Sequence, residues 1–292
     1  MFDIFKSIFP KLNHAPPRDL CPKFNEGRFL PKIVHQTFSS TTLPHELQLN
    51  VNQLIAANPE WQHKIYNDAD IIDFIDKNYG SRILSIYQKI EPIYGAARAD
   101  LFRYLLIYKC GGIYLDIKSS ATKPLTQITS PDQNFVISQW NDQDEEFSEW
   151  GEHQQIQALP GGEFMQWFII SKAGNPLLKA VIDNVLNNIQ CYSASLHGVG
   201  KYGVLHLTGP IAYTMAIHPL LPLFKHDFLS AKHDLGFQYS VYKDKINHIK
   251  LFKNHYSNLK IPIVKESLFK KLNELILKSL LFVRSILKRR QV

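Results

Sequence analysis

Asp100, Arg103, Asp116 and Lys118 carry the chemistry most legible in this chain. Asp100 and Arg103 lie three apart in a run of helical spacing, so they share a helix face. A carboxylate there can accept from two adjacent hydroxyls while a guanidinium fork fixes the same molecule's orientation. The plainer reading is a helix-surface ion pair worth less than ~1 kcal/mol. Asp116 and Lys118 follow paired glycines in Gly111-Gly-Ile-Tyr-Leu-Asp116-Ile-Lys118. In a strand, period two puts Ile113, Leu115 and Ile117 on one side and Tyr114, Asp116 and Lys118 on the other. Asp116 then stands at the carboxyl end of a strand, where open α/β sheets bind ligands.

The flanking sequence supplies the elements that must hold these groups. Lys32 to Phe38 reads as a buried strand, Pro44 to Ala57 as a helix stopped by Asn58-Pro59, and Trp61 to Tyr66 as a second strand. Asn67-Asp-Ala-Asp70 caps the next helix. Ile93 to Lys109 reads as a long helix closed by Cys110-Gly111-Gly112, and Ile113 to Ile117 as a short strand. Beyond it, Phe135 to Ser138 reads as a strand, and Pro176 to Gln190 and Gly209 to Ile217 as helices. Alternation of this kind predicts an α/β fold with a parallel sheet.

Composition narrows the class. The chain has 292 residues, 45% hydrophobic and 20% charged, which describes a globular protein rather than a disordered or collagen-like one. Three cysteines without C-x-x-C spacing predict no disulfide framework. The net charge is +7, but residues 265–292 hold eight Lys/Arg against two Glu, leaving the body close to neutral. A near-neutral body argues against nucleic-acid binding, which usually spreads cations over a folded face. No run reaches the roughly 18 uncharged apolar residues of a membrane span. The opening Met1 to Pro10 is short and carries Asp3, so neither a signal peptide nor an anchor is expected there, and a cytoplasmic location follows.

The block Arg98-Ala-Asp100-Leu-Phe-Arg103-Tyr through Gly111-Gly-Ile-Tyr-Leu-Asp116-Ile-Lys118 resembles the sugar-binding region of glycosyltransferase family 32. That family's pattern is roughly R-A-D-x-x-R-Y-x-x-L-x-x-x-G-G-x-Y-x-D-x-D. Pro31-Lys-Ile-Val-His35-Gln36-Thr37, Asn58-Pro-Glu-Trp61 with Asp68-Ala-Asp70, Glu163-Phe-Met-Gln-Trp167 and Thr208-Gly-Pro210 resemble it too, so the likeness runs from about residue 31 to about residue 264. The resemblance implies a GT-A (Rossmann-like) nucleotide-sugar-binding fold and transfer of a hexose from a UDP- or GDP-linked donor to a glycan or lipid-linked acceptor, with anomeric configuration retained. It implies His35, Gln36 and Thr37 against the nucleoside, Asp100 and Arg103 on the sugar hydroxyls, and Tyr104, Gly112 and Tyr114 in the same donor site. Glu163 and Trp167 are acceptor-side candidates. The plainer readings are a backbone-satisfied strand histidine for His35 and core packing for Trp167 and Trp140.

Lys118 departs from the pattern, standing where the family has its second metal-side carboxylate. Two aspartates plus a divalent ion sum to zero; so do Asp116 and Lys118 with no ion. Either Lys118 stands in for the cation, or Asp116 still holds Mn²⁺ or Mg²⁺ with further ligands, among which His255 in Asn254-His-Tyr-Ser257 is the best candidate; a catalytically dead site is the third reading. The acidic run Asp142, Asp144, Glu145, Glu146, Glu149 and Glu152 reads as a solvated loop or as acceptor contacts.

The expected organisation is an arm over residues 1–30, a GT-A domain over 31–264 and a basic amphipathic helix over 265–292. In that helix Leu268, Leu272, Leu275, Ile276, Leu280, Val283, Ile286 and Leu287 form one stripe, with Phe269 and Phe282 nearby. It suits the surface of an anionic membrane, or packs on the body or on a second copy. The reading is a hexosyltransferase of bacterial surface polysaccharide synthesis, peripheral on the inner membrane face. Its rivals are an inactive protein that keeps the sugar-nucleotide pocket and an adaptor acting through the basic tail.

Overall fold

In the computed structural model the described residues are 11–13, 18–140, 150–242, 256–265 and Ser279. A four-stranded sheet in the order β2-β1-β3-β6 forms the centre, with β1 Ile33–Thr37, β2 Gln62–Tyr66, β3 Gly112–Leu115 and β6 Phe168–Ser171. β1 runs parallel to β2 and β3, and β6 is antiparallel to β3. The α/β fold with a mostly parallel sheet is as the sequence predicts, and an antiparallel edge strand completes it. Two small ladders lie outside: β4 Ser120–Ala121 pairs with β8 Phe237–Gln238, and β5 Val136–Ile137 with β7 Asp227–Phe228.

Helix α1 (His45–Ala57) joins β1 to β2. Helices α2 (Asp68–Tyr87, kinked at Gly80) and α3 (Gly95–Cys110) carry the chain back to β3 on the other side of β1. The chain thus reverses its direction of travel across the sheet at β1 and β3. At such a reversal two connections leave in opposite directions and open a crevice above the strands' carboxyl ends.

Local sequence explains these elements. The Asn67 side chain accepts from the backbone N–H groups of Ala69 (2.8 Å) and Asp70 (3.1 Å), and Asp70 Oδ2 accepts from the Asn67 N–H, a complete capping box for α2. The periodicity of α3 is nearly apolar all round, and Leu101 to Tyr108 are buried without a break. A helix of this kind belongs in the interior. α3 packs against α5 (Pro176–Cys191), with α7 (Gly200–Leu207) and α8 (Pro210–Ile217) completing this layer; α4 (Leu125–Ile128) and α6 (Ala194–His197) are single turns.

Strands β3 and β6 are buried on both faces, while edge strand β2 stays partly exposed. Tyr114 and Ile169 enter the core with the α2, α3 and α5 side chains; Ile113, Leu115, Phe168 and Ile170 enter a second core with Trp140 and Trp167. The glycines ending α3 are demanded by space. Gly111 and Gly112 have φ of 67° and 97°, and a Cβ on Gly112 would lie 2.6 Å from the Ile33 carbonyl oxygen. No described helix is long and apolar enough to cross a membrane. Residues 1–10 of the arm, most of the acidic run, His255 and the basic tail apart from Lys265 and Ser279 lie outside the described residues.

Candidate functional site: a carboxylate–guanidinium cluster at the end of β3

Asp100, Arg103 and Asp116 converge. Arg103 Nη2 lies 3.3 Å from Asp100 Oδ1 and 3.2 Å from Asp116 Oδ1, so one guanidinium joins the helical and strand carboxylates. Arg103 Nη1 donates to the Gln166 carbonyl at 2.7 Å, and its plane lies 4.7 Å from the centre of the Tyr114 ring. Burial disfavours the cation, but Asp116, Tyr114 and Asp100 outweigh it and raise the guanidinium pKa further.

Asp100 forms the inner wall of this cluster. Its Oδ1 also accepts from Gln166 Nε2 (3.1 Å) and its Oδ2 from Thr208 Oγ1 (2.9 Å). Burial raises its pKa, against the opposing pull of Arg103, Gln166 and Thr208. The side chain of Asp100 is 5% exposed and that of Asp116 is 21% exposed. Asp116 is therefore the carboxylate that meets solvent, and Asp100 holds Arg103 from behind.

Asp116 is fixed from both neighbouring strands. Its N–H donates to the Trp167 carbonyl (2.9 Å), Gln36 Nε2 reaches its carbonyl at 3.4 Å, and Tyr114 Oη donates to its Oδ1 at 3.2 Å. Thr37 Oγ1 is 3.0 Å from the same Tyr114 hydroxyl. Gln36 and Thr37 thus approach the cluster from the end of β1, at the chain reversal described above.

Strand β3 stops at Leu115, and Ser119 N–H bonds back to the Asp116 carbonyl at 2.8 Å, so a turn carries Lys118. The strand alternation expected to reach Lys118 ends before it. Asn50 on α1 pins this turn by donating to the carbonyls of Ile117 (3.2 Å) and Ser119 (2.8 Å). From the other side Val241 N–H donates to the Lys118 carbonyl (2.8 Å), and Ser119 Oγ to that of Tyr239 (2.8 Å). Lys118 Nζ lies 3.9 Å from the centre of the Tyr239 ring. Burial pulls the Lys118 pKa down to about 8; Asp116 opposes this and Arg103 adds to it.

Several expected site residues are placed elsewhere. His35 is 1% exposed, with Nδ1 3.0 Å from the Tyr66 hydroxyl and Nε2 3.2 Å from the Gly111 carbonyl. Successive side chains of a strand face opposite ways, so His35 enters the helix layer while Gln36 does not. Burial lowers its pKa to about 4. Tyr104 is fully buried and donates to the Thr208 carbonyl at 2.9 Å, and Gly112 serves the backbone approach already described. Neither presents a group to a donor.

On the far side, Glu163 Oε1 accepts from Trp140 Nε1 (3.0 Å) and its Oε2 lies 2.7 Å from His153 Nε2. Trp140 and Trp167 are each 4% exposed, so both are core as the plainer reading expects, and Trp167 is not open to an acceptor. Their neighbours Trp150 and Tyr239 are the partly exposed rings of this cluster, with Tyr239 5.6 Å from both Trp150 and Trp167. Sequence reading gave Gln166, Thr208, Asn50 and Tyr239 no role. The first two lie inside quoted segments, but nothing local shows that they reach Asp100. Tyr239 arrives through the β4–β8 ladder, which leaves no sequence signal.

The described residues supply Asp116 but not the second carboxylate of the family pattern, and His255, the further candidate ligand, lies outside them. Asp116 Oδ1 is already shared by Arg103 and Tyr114, Lys118 follows two residues later, and no group of three ligating His, Cys, Asp or Glu side chains occurs among the described residues.

Residues 44–145 match a protein-family model described as the glycosyltransferase sugar-binding region containing the DXD motif. The resemblance to glycosyltransferase family 32 therefore holds over this stretch, narrower than residues 31–264, and it includes every member of the cluster at 100, 103, 116 and 118. An inositol phosphoceramide mannosyltransferase of Schizosaccharomyces pombe is 31% identical over 101 residues, 35% of this chain and 28% of that protein. An initiation-specific alpha-1,6-mannosyltransferase of Candida albicans is 24% identical over 176 residues, 56% of this chain and 44% of that one. The chain spans less than half the length of the curated relatives it matches. Among solved structures, the PaToxG glycosyltransferase superposes with a TM-score of 0.45 at 17% identity, covering 94% of this chain and 91% of that one.

Proposed function

We propose that this chain is a GT-A glycosyltransferase that moves a hexose from a nucleotide-sugar donor to a glycan or lipid-linked acceptor, retaining anomeric configuration. The observation that carries the reading is the convergence of Asp100, Arg103 and Asp116 at the chain reversal between β1 and β3. The match of residues 44–145 to a sugar-binding region supports it. Mannose is the first candidate sugar, because the relatives described above are named as mannosyltransferases.

In this reading Asp116 meets the donor directly and Arg103 fixes its orientation, while Asp100, Gln166 and Thr208 hold the guanidinium in place. A charged fork positioned in advance loses little freedom on binding, which favours affinity. Thr37 lines the nucleoside side, with Gln36 buried behind it against the Asp116 carbonyl and His63. A role in surface polysaccharide synthesis and attachment to an anionic membrane face are part of the proposal; the first rests on the resemblance, the second on the charge pattern of residues 265–292.

A thermal-shift screen of UDP- and GDP-sugars tests it. A ligand at about 100 times its dissociation constant adds about 2.7 kcal/mol of stability, a readily measured rise in melting temperature. Donor hydrolysis by the wild type, lost in Asp116→Asn, supports an enzyme. Donor binding without turnover favours a binding protein, and no response to any sugar nucleotide refutes the reading.

A further inference from the structure

Resting on the glycosyltransferase reading above, we infer that the ammonium of Lys118 takes the place of a divalent cation beside Asp116, so that donor diphosphate binds here without metal. Charge balance is the first argument. Asp100 and Asp116 carry two negative charges, and Arg103 and Lys118 carry two positive ones. A carboxylate at position 118 would leave the four groups at −2, which a divalent ion cancels. With Lys118 they already sum to zero, the total that the carboxylate pattern reaches only with its ion, so a donor diphosphate meets the same net charge here without one.

Geometry is the second argument. Lys118 is 7% exposed, and the turn bearing it is bonded to α1 through Asn50 and to the chain at Tyr239 and Val241. Its Nζ rests over the Tyr239 ring, whose negative face holds a cation in place. A mobile surface lysine would give none of this. The cation is built into the fold two residues from the carboxylate that meets solvent, and a compact ammonium is a point charge suited to phosphate oxygens.

Calorimetric titration of the full chain with UDP and with GDP, in excess EDTA and again in Mn²⁺, tests this. The wild type is expected to bind one of them with affinities that agree within about threefold. Binding about tenfold or more weaker in EDTA overturns the inference and leaves the glycosyltransferase reading standing. Absence of binding under both conditions overturns both. Lys118→Asp is expected to bind poorly in EDTA and to recover in Mn²⁺; equal binding by Lys118→Asp in EDTA also overturns the inference. Lys118→Met keeps the aliphatic stem over Tyr239 and removes only the charge. With circular dichroism matching the wild type, it is expected to lose about ten- to a hundredfold in affinity in either buffer, and an unchanged affinity refutes the role of the ammonium.

Discussion

Replacing Arg103 by methionine isolates the electrostatics of the cluster. The substitution leaves the Asp100 carboxylate, 5% exposed, with only two neutral donors, Gln166 Nε2 and Thr208 Oγ1. Breaking a buried pair from one side costs about 3–5 kcal/mol, and the remaining donors place this case near about 3. Asp116 adds little to that figure, because it is partly exposed and water screens it. The loss depends on pH in a definite direction. Burial already holds the Asp100 carboxyl above the ordinary carboxylate range, and removing the guanidinium raises it further. A group whose pKa is higher in the folded state stabilises fully below the unfolded value, near 4, and loses that contribution as pH rises through the folded value. Arg103→Met is thus closest to the wild type at about pH 4.5 and falls furthest behind at about pH 8. Urea unfolding followed by tryptophan fluorescence reads this as a midpoint lowered by about 1 M at the higher pH. Asp100→Asn in the same background removes the orphaned charge, so the two substitutions together cost less than their sum. An equal deficit at both pH values, or strict additivity, refutes the reasoning.

Gly112→Ala forces a Cβ to 2.6 Å from the Ile33 carbonyl at a φ of 97°, and is expected to cost at least about 2 kcal/mol by thermal melting. Asn67→Ala removes the capping side chain of α2 and is expected to cost about 1 kcal/mol without changing donor affinity. His35 is held neutral by burial, with a folded pKa of about 4, so the folded state loses stability as pH falls from about 6.5 towards 4. A shift of this size is worth about 3 kcal/mol, and His35→Gln is expected to flatten the change of melting temperature over that interval; an unchanged slope counts against it.

Much of the fold is local and therefore legible. The Asn67 capping box, the apolar run of α3, the glycines that stop it and the alternation in β3 are dictated by residues within a few positions of each other. The expected elements appear within a residue or two of their predicted ends through β2, and α5 and α8 follow suit. β3 is shorter than expected, because a turn locked by Asn50 and Val241 takes over at Asp116. The failures have one cause. His35 and Trp167 have the residue types of a donor and an acceptor site, and only the direction in which each side chain leaves the backbone puts both in the core.

Sequence alone determined the chemical types at 100, 103, 116 and 118, and that the first two share a helix face while Asp116 closes a strand. It also carried the lysine that breaks the family pattern. Only the tertiary structure decided that one guanidinium joins both carboxylates, that Asp100 is inside and Asp116 at the solvent, and that Gln166, Thr208 and Tyr239 enclose them. The contacts of Gln166, Thr208 and Tyr239 with the cluster join residues 66, 108 and 121 positions apart, and such pairings are chosen by the packing of whole layers, for which no short stretch of sequence holds the information.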